Sequence, residues 1–272
     1  MEQAAMTEFA IDTGADRHFE IRLAHSDGDL CAAQRLRYRV FVEELGGRGG
    51  PMADHDARLE IDTFDVDCDH LLLIDTRRDP AKLDHVVGVY RLLSGTAAAR
   101  LGRYYSEAEY DLSLLRATGR KVLELGRSCV HPEYRNSTAM LHLWNALAQH
   151  VLSQDIEVLF GVASFHGTDV AALAQPLSWL HHHHLAPEGM RVRALPAHFQ
   201  PMDLLPLDAL SRRDAMARIP ALIKAYLRLG GYVGEGAFVD HDFNTTDVCL
   251  IMDTRTMSEK HLGFYTRKSG RG

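Results

Sequence analysis

The sequence lacks the features that mark several common protein classes. Four cysteines are scattered through 272 residues without Cys-x-x-Cys spacing, which argues against a disulfide framework or a cysteine zinc site and suits a reduced protein. No apolar run approaches the roughly 18 residues that a membrane span needs. The N-terminus shows no basic flank followed by an apolar core, so we expect no signal peptide. A net charge of −7 argues against a general nucleic-acid binder. We therefore expect a cytoplasmic globular protein.

Several catalytic and metal-binding motifs are also missing. There is no Gly-x-Ser-x-Gly elbow, which argues against a serine hydrolase. A His-x4-Asp pair would need an aspartate at Thr246, and Asp247 comes one residue too late. The histidine run 181–184 has no spaced Cys, Asp or Glu partner, and consecutive helical residues point in different directions. We expect neither a metal nor a cofactor.

The most informative stretch is residues 121–150, KVLELGRSCV-HPEYRNSTAM-LHLWNALAQH. Its first part alternates as a strand does, and its last part carries apolar residues at helical spacing. A polar turn between them predicts a helix start near Ser137 or Thr138. Free backbone N–H groups at such a start can hold an anion.

Two charged residues of this strand are three positions apart. A regular strand would point Glu124 and Arg127 to opposite faces. A bulge at Leu125 or Gly126 would bring both to one face and splay the strand from its neighbour. The splay would open a groove for an extended ligand. The alternative is an ordinary core strand with one solvated charge.

Other charged residues fall on apolar surfaces. Arg37 lies on the apolar stripe of a helix that begins near Asp27 or Asp29, and Arg91 lies on an apolar strand. A buried guanidinium needs a carboxylate or a ligand, unless the side chain reaches solvent. The acids of EIDTFDVDCD interleave with apolar residues, which indicates an ordered, partly buried loop.

The order of the elements predicts an α/β fold with a mixed sheet flanked by helices. We predict a flexible tail over 1–15, one domain over 16–262 with an insertion of loops and short turns at 180–215, and a basic tail over 263–272. The amphipathic helix 219–229 either covers the sheet or, with the basic tail, contacts an anionic membrane surface.

This pattern resembles the GNAT (acyl-CoA N-acyltransferase) fold, which holds the pantetheine arm of a thioester between two splayed strands. LRYRVFVEELGG, EIDTFD, VVGVYR and ELGR resemble motifs of the acyl-homoserine-lactone autoinducer synthases. Gly47 stands where that family has a tryptophan. Carried over position by position, the resemblance implies these site residues: Arg37, Phe41, Asp62, Asp65, Arg91, Glu124 and Arg127.

A resemblance that covers nearly the whole chain is to the bacterial L-ornithine N-acyltransferases, through RYRVFVEELGG, FDVDCDHLLLID, ELGRSCVHPEYR, GVASFHG, AYLRLGGYV and DFNTTDV. It implies transfer of a 3-hydroxyacyl chain from acyl carrier protein to the α-amino group of L-ornithine, which gives lyso-ornithine lipid. The alternatives are an autoinducer-like enzyme that uses S-adenosylmethionine, a GNAT enzyme that acylates another amine, and a non-catalytic GNAT module.

We call residues 135–140 the donor loop, because they stand where GNAT enzymes have the phosphate-binding pattern Q/R-x-x-G-x-G/A. The loop has Arg135 at its first position but no glycine, and a glycine-free backbone approaches a pyrophosphate less closely. It therefore suits a carrier-protein arm, which presents a single phosphodiester. We expect Gly126, Arg135, Ser137 and Thr138 to bind the arm. The acidic carrier protein would dock on basic residues, with these candidates: Arg103, Arg116, Arg120, Lys121 and Arg135.

The implied mechanism uses Glu124 as the general base for the α-amine. Backbone N–H groups near Gly126 and Arg127 would stabilise the oxyanion. Arg37 and Arg91 would bind the carboxylate of ornithine, and Asp62 and Asp65 its distal ammonium. The alternative for these residues is a structural ion network.

Overall fold

A computed structural model of the chain describes residues 18–135 and 138–256. The predicted tails, 1–15 and 263–272, and Ser137 of the donor loop lie outside these residues. The chain forms two compact units. Of the described residues, unit 1 contains 18–93, 125–135 and 138–155, and unit 2 contains 94–124 and 156–256. The single domain over 16–262 stays a prediction.

The described elements have the following bounds. The strands are β1 (Phe19–Leu23), β2 (Asp69–Asp75), β3 (Val86–Ser94), β4 (Tyr110–Asp111), β5 (Val122–Val130), β6 (Val158–His166), β7 (Arg193–Ala194), β8 (Tyr232–Val233), β9 (Phe238–Asp240) and β10 (Thr245–Asp253). The α-helices are α1 (Asp27–Arg37), α2 (Gly95–Leu101), α3 (Ser113–Ala117), α4 (Ala139–Ser153), α5 (Ala174–His184), α6 (Arg212–Arg218) and α7 (Ala221–Arg228).

In unit 1, β1, β2 and β3 form an antiparallel series. Helix α1 packs its small residues, including Ala32 and Ala33, against the apolar face of these strands. Helix α4 approaches closely at Gly88, where an added Cβ would lie 2.6 Å from the Leu143 side chain. Glycine at this position therefore sets the distance between helix and strand.

Helix α1 starts differently from its sequence-based prediction, and its winding changes after its last residue. Its N-cap is Ser26, whose hydroxyl accepts a hydrogen bond from the Asp29 N–H group, whereas the sequence suggested Asp27 or Asp29 as the cap. After Arg37 the chain continues as a π-helix over Tyr38–Glu44. Helical spacing alone could not show this change in winding.

Unit 2 is centred on β6 and β10, which pair antiparallel from Thr245↔His166 to Asp253↔Val158. Strands β8 and β9 pair with β10. The first three residues of β5 pair parallel with β6, ending at Glu124↔Phe160. Parallel and antiparallel pairs occur together, so the predicted mixed sheet flanked by helices is confirmed.

Two helices of unit 2, α5 and α7, can be compared with their sequence-based predictions. From the sequence we predict a helix from Asp169 to Trp179, but α5 runs over Ala174–His184, so the predicted bounds are wrong. Helix α7 buries Ile223 and Tyr226 and lies against β10, which agrees with the expectation that the amphipathic segment covers the sheet. Across 18–135 and 138–256, no helix has both the length and the apolar character needed to cross a membrane.

Candidate active site

The predicted strand–turn–helix is confirmed by β5 and α4. Within β5 the backbone leaves the extended region at Arg127, which has a φ of +50°. The irregularity is therefore one residue later than the predicted bulge at Leu125 or Gly126. A non-glycine residue in this region is strained, so other interactions must hold it there. At Gly126 an added Cβ would lie 3.7 Å from the Arg91 Nε atom, which is ordinary contact.

Glu124 is buried and bonded through both carboxylate oxygens. One oxygen accepts from the Tyr105 N–H group at 2.8 Å, and the other accepts from the Ser106 N–H group at 2.7 Å and from the Ser106 hydroxyl. The carboxylate thus holds the start of the 3-10 turn Tyr105–Ala108. These three bonds fix the position and the orientation of the carboxylate.

Arg37 lies at the centre of a buried ion network in unit 1 and is 0% exposed. Its guanidinium donates in fork geometry to both oxygens of Asp65, at 2.8 Å each. It also donates to the Glu60 carboxylate and, at 2.6 Å, to the Glu60 carbonyl oxygen. Gln34 adds a bond of 2.9 Å to Asp65. The predicted need of Arg37 for a carboxylate partner is met inside the protein.

Arg91 and Arg127 extend the same network. Arg91 lies 3.1 Å from an Asp65 oxygen and 3.2 Å from an Asp62 oxygen. Arg127 donates to Glu60 at 3.1 Å and to Asp62 at 2.9 Å. These last two bonds join β5 to the acidic loop and support the left-handed backbone at Arg127. Three guanidinium groups thus meet three carboxylates.

The network favours the ionised forms of Asp62 and Asp65. Burial raises the pKa of Asp65, but bonds from Arg37 and the charges of Arg37 and Arg91 outweigh it and lower this pKa well below its usual range. Burial likewise opposes the lowering of the Asp62 pKa by Arg91 and Arg127. The arrangement is the ion network that the sequence left open as the alternative to direct substrate binding. Asp62 and Arg127 are its most accessible members, with side chains 10% and 11% exposed.

The remaining predicted site residues are not members of this network. Phe41 is half-buried against the core beneath α1. Arg135 of the donor loop forms an ion pair with Glu44 at 2.6 Å and donates to the Val130 carbonyl oxygen at 3.0 Å. Thr138 is exposed and immediately precedes α4, as the predicted helix start requires.

Several cations proposed for carrier-protein docking already face acids. Arg116 pairs with Glu107 at 2.6 Å, and Arg120 pairs with Asp253 at 2.5 Å. Such pairs reduce the local positive charge that an acidic partner would meet. Unit 1 also contains a cavity of about 170 Å³ with several basic side chains, which the sequence did not predict. The cavity is lined by Arg35, Leu36, Arg39, Glu43, Arg58, Lys82, Leu83, Asp84, Val86 and His131.

Sequence reasoning missed partners that are distant along the chain. Glu60 opens the quoted EIDTFD motif, yet its place between Arg37 and Arg127 depends on contacts 23 and 67 residues away. His182 also has an acidic partner after all, because Asp203 lies 3.0 Å from its ring.

Two groups of side chains have the spacing of cation ligands. One is His181, His182 and Asp203, and the other is Glu109, Asp240 and Asp247. In each group the ligand atoms lie within 4.8 Å of one another. The first group lies at the end of α5, and the second lies around β9 and β10 in unit 2.

Comparison with known proteins places the chain in a family. Residues 36–145 match the acetyltransferase (GNAT) domain family. An L-ornithine N(alpha)-acyltransferase of Rhodobacter capsulatus is 65% identical over 93% of this chain and 97% of its own length. One of Brucella abortus is 41% identical over 96% of this chain and 94% of its own.

Among solved structures, a CoA-dependent acyl-homoserine lactone synthase, BjaI, matches with a TM-score of 0.49 and 18% identity, over 90% of this chain and 83% of that chain. The two curated relatives match over almost their full lengths and well above 30% identity. The chain therefore belongs to the L-ornithine N(alpha)-acyltransferase family of GNAT-type acyltransferases.

Proposed function

We propose that this protein transfers a 3-hydroxyacyl chain from acyl carrier protein to the α-amino group of L-ornithine, giving lyso-ornithine lipid. The observation that carries the proposal is the 65% identity, over 93% of the chain, to a protein named L-ornithine N(alpha)-acyltransferase. The substrate of that relative is the acceptor we assign here. The thioester arm is the only prosthetic group that the reaction needs.

The amine must lose a proton to attack the thioester carbonyl, and Glu124 is the proposed base. A buried carboxylate on strand β5 is suited to contact with an amine, directly or through one water molecule. The three bonds from the Tyr105–Ala108 turn would hold the carboxylate in a fixed orientation. The proton leaves the ammonium nitrogen, and the freed electron pair then forms the amide bond as the thiolate departs.

The ion network suggests a division of roles among the predicted substrate-binding residues. Arg37 and Asp65 bond to each other and are buried, so we propose that they position the acidic loop. Arg91 stays the proposed partner of the ornithine carboxylate, because its guanidinium is a cation. The irregular backbone at Arg127 supports the proposed use of the N–H groups of Gly126 and Arg127 for the oxyanion.

The donor assignment rests on the loop before α4. Arg135 and Thr138 lie beside the helix start, where backbone N–H groups favour a phosphodiester. A phosphate would share Arg135 with Glu44, which already lies 2.6 Å away. Cytoplasmic location and contact with the inner membrane surface remain expectations of this function.

The direct test of function incubates the purified protein with 3-hydroxyacyl carrier protein and a panel of amino acids, and identifies products by mass. We expect N-acylated ornithine as the main product. Acyl-homoserine lactone formed from S-adenosylmethionine, or equal acylation of unrelated amines, would contradict the proposal. Replacing the carrier protein by the acyl-CoA tests the donor separately, and we expect slower turnover.

The role of Glu124 needs a matched pair of variants, because the residue also holds a turn. Glu124→Gln removes the base, whereas Ser106→Ala removes one bond to the carboxylate and keeps the base. We expect Glu124→Gln to lose about 10²- to 10⁴-fold in kcat, and Ser106→Ala to lose far less. Equal losses in both variants, with circular dichroism unchanged, would assign Glu124 to the turn alone.

A further inference from the structure

A second group of acids lies in unit 2, outside the ion network. Glu109 is 4% exposed and Asp247 is 5% exposed, while Asp240 is half-buried. One carboxylate oxygen from each residue lies within 4.8 Å of the other two. An equilateral triangle with this side has its centre about 2.8 Å from each corner, which is the length of an N–H···O hydrogen bond. We call Glu109, Asp240 and Asp247 the carboxylate cluster.

The backbone holds the members of this cluster in place. Asp240 accepts hydrogen bonds from the N–H groups of Asp242 and Phe243, at 2.7 and 2.9 Å. The carbonyl oxygen of Glu109 accepts from the Leu195 N–H group at 2.8 Å. Asp247 lies within the paired strand β10, opposite Phe238 of β9. The cluster is therefore built on ordered elements.

The hydroxyl group of Thr245 is an independent observation that points to a ligand beside the cluster. Thr245 is 5% exposed, and its Oγ1 atom has no hydrogen-bond partner among the described residues. Thr245 lies directly opposite Asp240 in the β9–β10 register and two residues before Asp247. All three side chains therefore project from one face of the sheet. A buried hydroxyl without a partner is costly, and a donor placed among the carboxylates would satisfy it.

The cluster shares a neighbourhood with Glu124. Burial raises the pKa of the Cys249 thiol, and the charges of Glu124 and Glu109 raise it further. Burial also raises the pKa of Tyr110, with contributions from Cys249, Glu109 and Asp247. Glu124 and Glu109 thus both act on the Cys249 thiol. Glu124 pairs with Phe160 of β6, and Phe160 pairs with Ile251 of β10, so Glu124 also lies on the same face of the sheet as Cys249 and Asp247. A short molecule with an amine at each end suits this arrangement.

We infer that the carboxylate cluster and the Thr245 hydroxyl bind the side-chain ammonium of the diamino acid acceptor while its α-amine lies at Glu124. This inference rests on the proposed function. The inference replaces the expectation that Asp62 and Asp65 bind this ammonium, because the carboxylate oxygens of those two residues already accept hydrogen bonds from arginine. An ammonium carries three N–H donors, and the cluster offers three carboxylates and a hydroxyl.

The test compares L-ornithine with L-norvaline, which has the same carbon chain but no terminal amine. The full-length protein is assayed with 3-hydroxyacyl carrier protein, and the ratio of kcat/KM for the two acceptors is measured. A loss of folded protein would reduce both values equally, so the ratio reports recognition of the ammonium. We expect the wild-type protein to favour ornithine strongly.

Asp240→Asn is the main variant, because an amide oxygen can still accept the bonds from Asp242 and Phe243. We expect the ratio to fall about tenfold or more, as loss of a hydrogen bond to a charged group predicts. Thr245→Val should lower it less. Asp253→Asn is the matched control, since it makes the same change on β10 at a residue paired with Arg120. Its ratio should stay at the wild-type value.

Several outcomes would overturn the inference. An unchanged ratio in both Asp240→Asn and Asp247→Asn, with a reduced ratio in Asp62→Asn, would return the ammonium to the ion network. Calorimetric binding of Mg²⁺ or Ca²⁺ alone that disappears in Asp240→Asn would make the cluster a metal site. If the wild-type protein acylates neither acceptor, the proposed function fails. Calorimetry with ornithine and norvaline then decides the inference by itself, because only ornithine should bind through the cluster.

Discussion

Among the described residues, a group of buried charges in unit 1 and another in unit 2 are built on opposite principles. In unit 1 the ion network sets Arg37, Arg91 and Arg127 against Glu60, Asp62 and Asp65. In unit 2 the carboxylate cluster brings three acids within 4.8 Å of one another. Opposite charges in contact hold a loop and a strand together, whereas like charges in contact favour a cationic ligand. The difference separates a positioning element from a candidate binding site.

The largest expected effect is the loss of stability when Arg37, the central residue of the ion network, is replaced. Arg37→Met would leave Glu60 and Asp65 buried without their main partner. We expect the free energy of unfolding to fall by about 3–5 kcal/mol, as for other broken buried ion pairs. Urea denaturation followed by circular dichroism measures this change.

The control for that prediction is Arg58→Met, which removes an exposed pair with Glu43. Surface pairs contribute about 1 kcal/mol or less. If the Arg37 and Arg58 variants lose the same stability, the network does not hold unit 1 together.

A second prediction concerns acid. The pKa values of Asp62 and Asp65 are lower in the folded protein than the ordinary value of 3.8. The folded state therefore binds fewer protons than the unfolded state as pH falls. The stabilisation that these two carboxylates provide is fully present above about pH 4 and is lost progressively as the pH falls below it. Urea midpoints measured from pH 5 to pH 2.5 should show this slope, and a flat profile would contradict it.

The smallest predicted effect is a change in stability when one charge is removed from the carboxylate cluster of unit 2. Asp240→Asn removes one of three clustered negative charges and retains the bonds to the turn. In the absence of ornithine we expect stability to rise by up to about 1 kcal/mol, since repulsion is relieved. Asp65→Asn is the informative contrast, because the same change within the network should destabilise. Matched losses in both variants would remove the distinction between the two groups.

The sequence predicts local structure better than it predicts partners. Alternation and helical spacing located β5 and α4, and the same patterns placed Arg37 and Arg91 on apolar faces, although they left open whether the Arg37 side chain reaches solvent. The fold class followed from the order of these elements. In contrast, the π-helix Tyr38–Glu44 has no pattern that separates it from an α-helix.

The contacts that define the candidate site depend on tertiary structure. Arg127 meets Glu60 across 67 residues, and Glu124 meets Ser106 across 18. The carboxylate cluster joins Glu109 to residues more than 130 positions later. No local periodicity encodes such pairs. Sequence reasoning therefore assigns the ammonium to Asp62 and Asp65, which lie within the motif EIDTFD.

A crystal structure of the protein with L-ornithine would test the account most directly. We predict that the side-chain nitrogen lies within about 3 Å of carboxylate oxygens of Glu109, Asp240 and Asp247, with the α-amine beside Glu124. A side-chain nitrogen bound instead to Asp62 and Asp65, with their bonds to arginine broken, would contradict it.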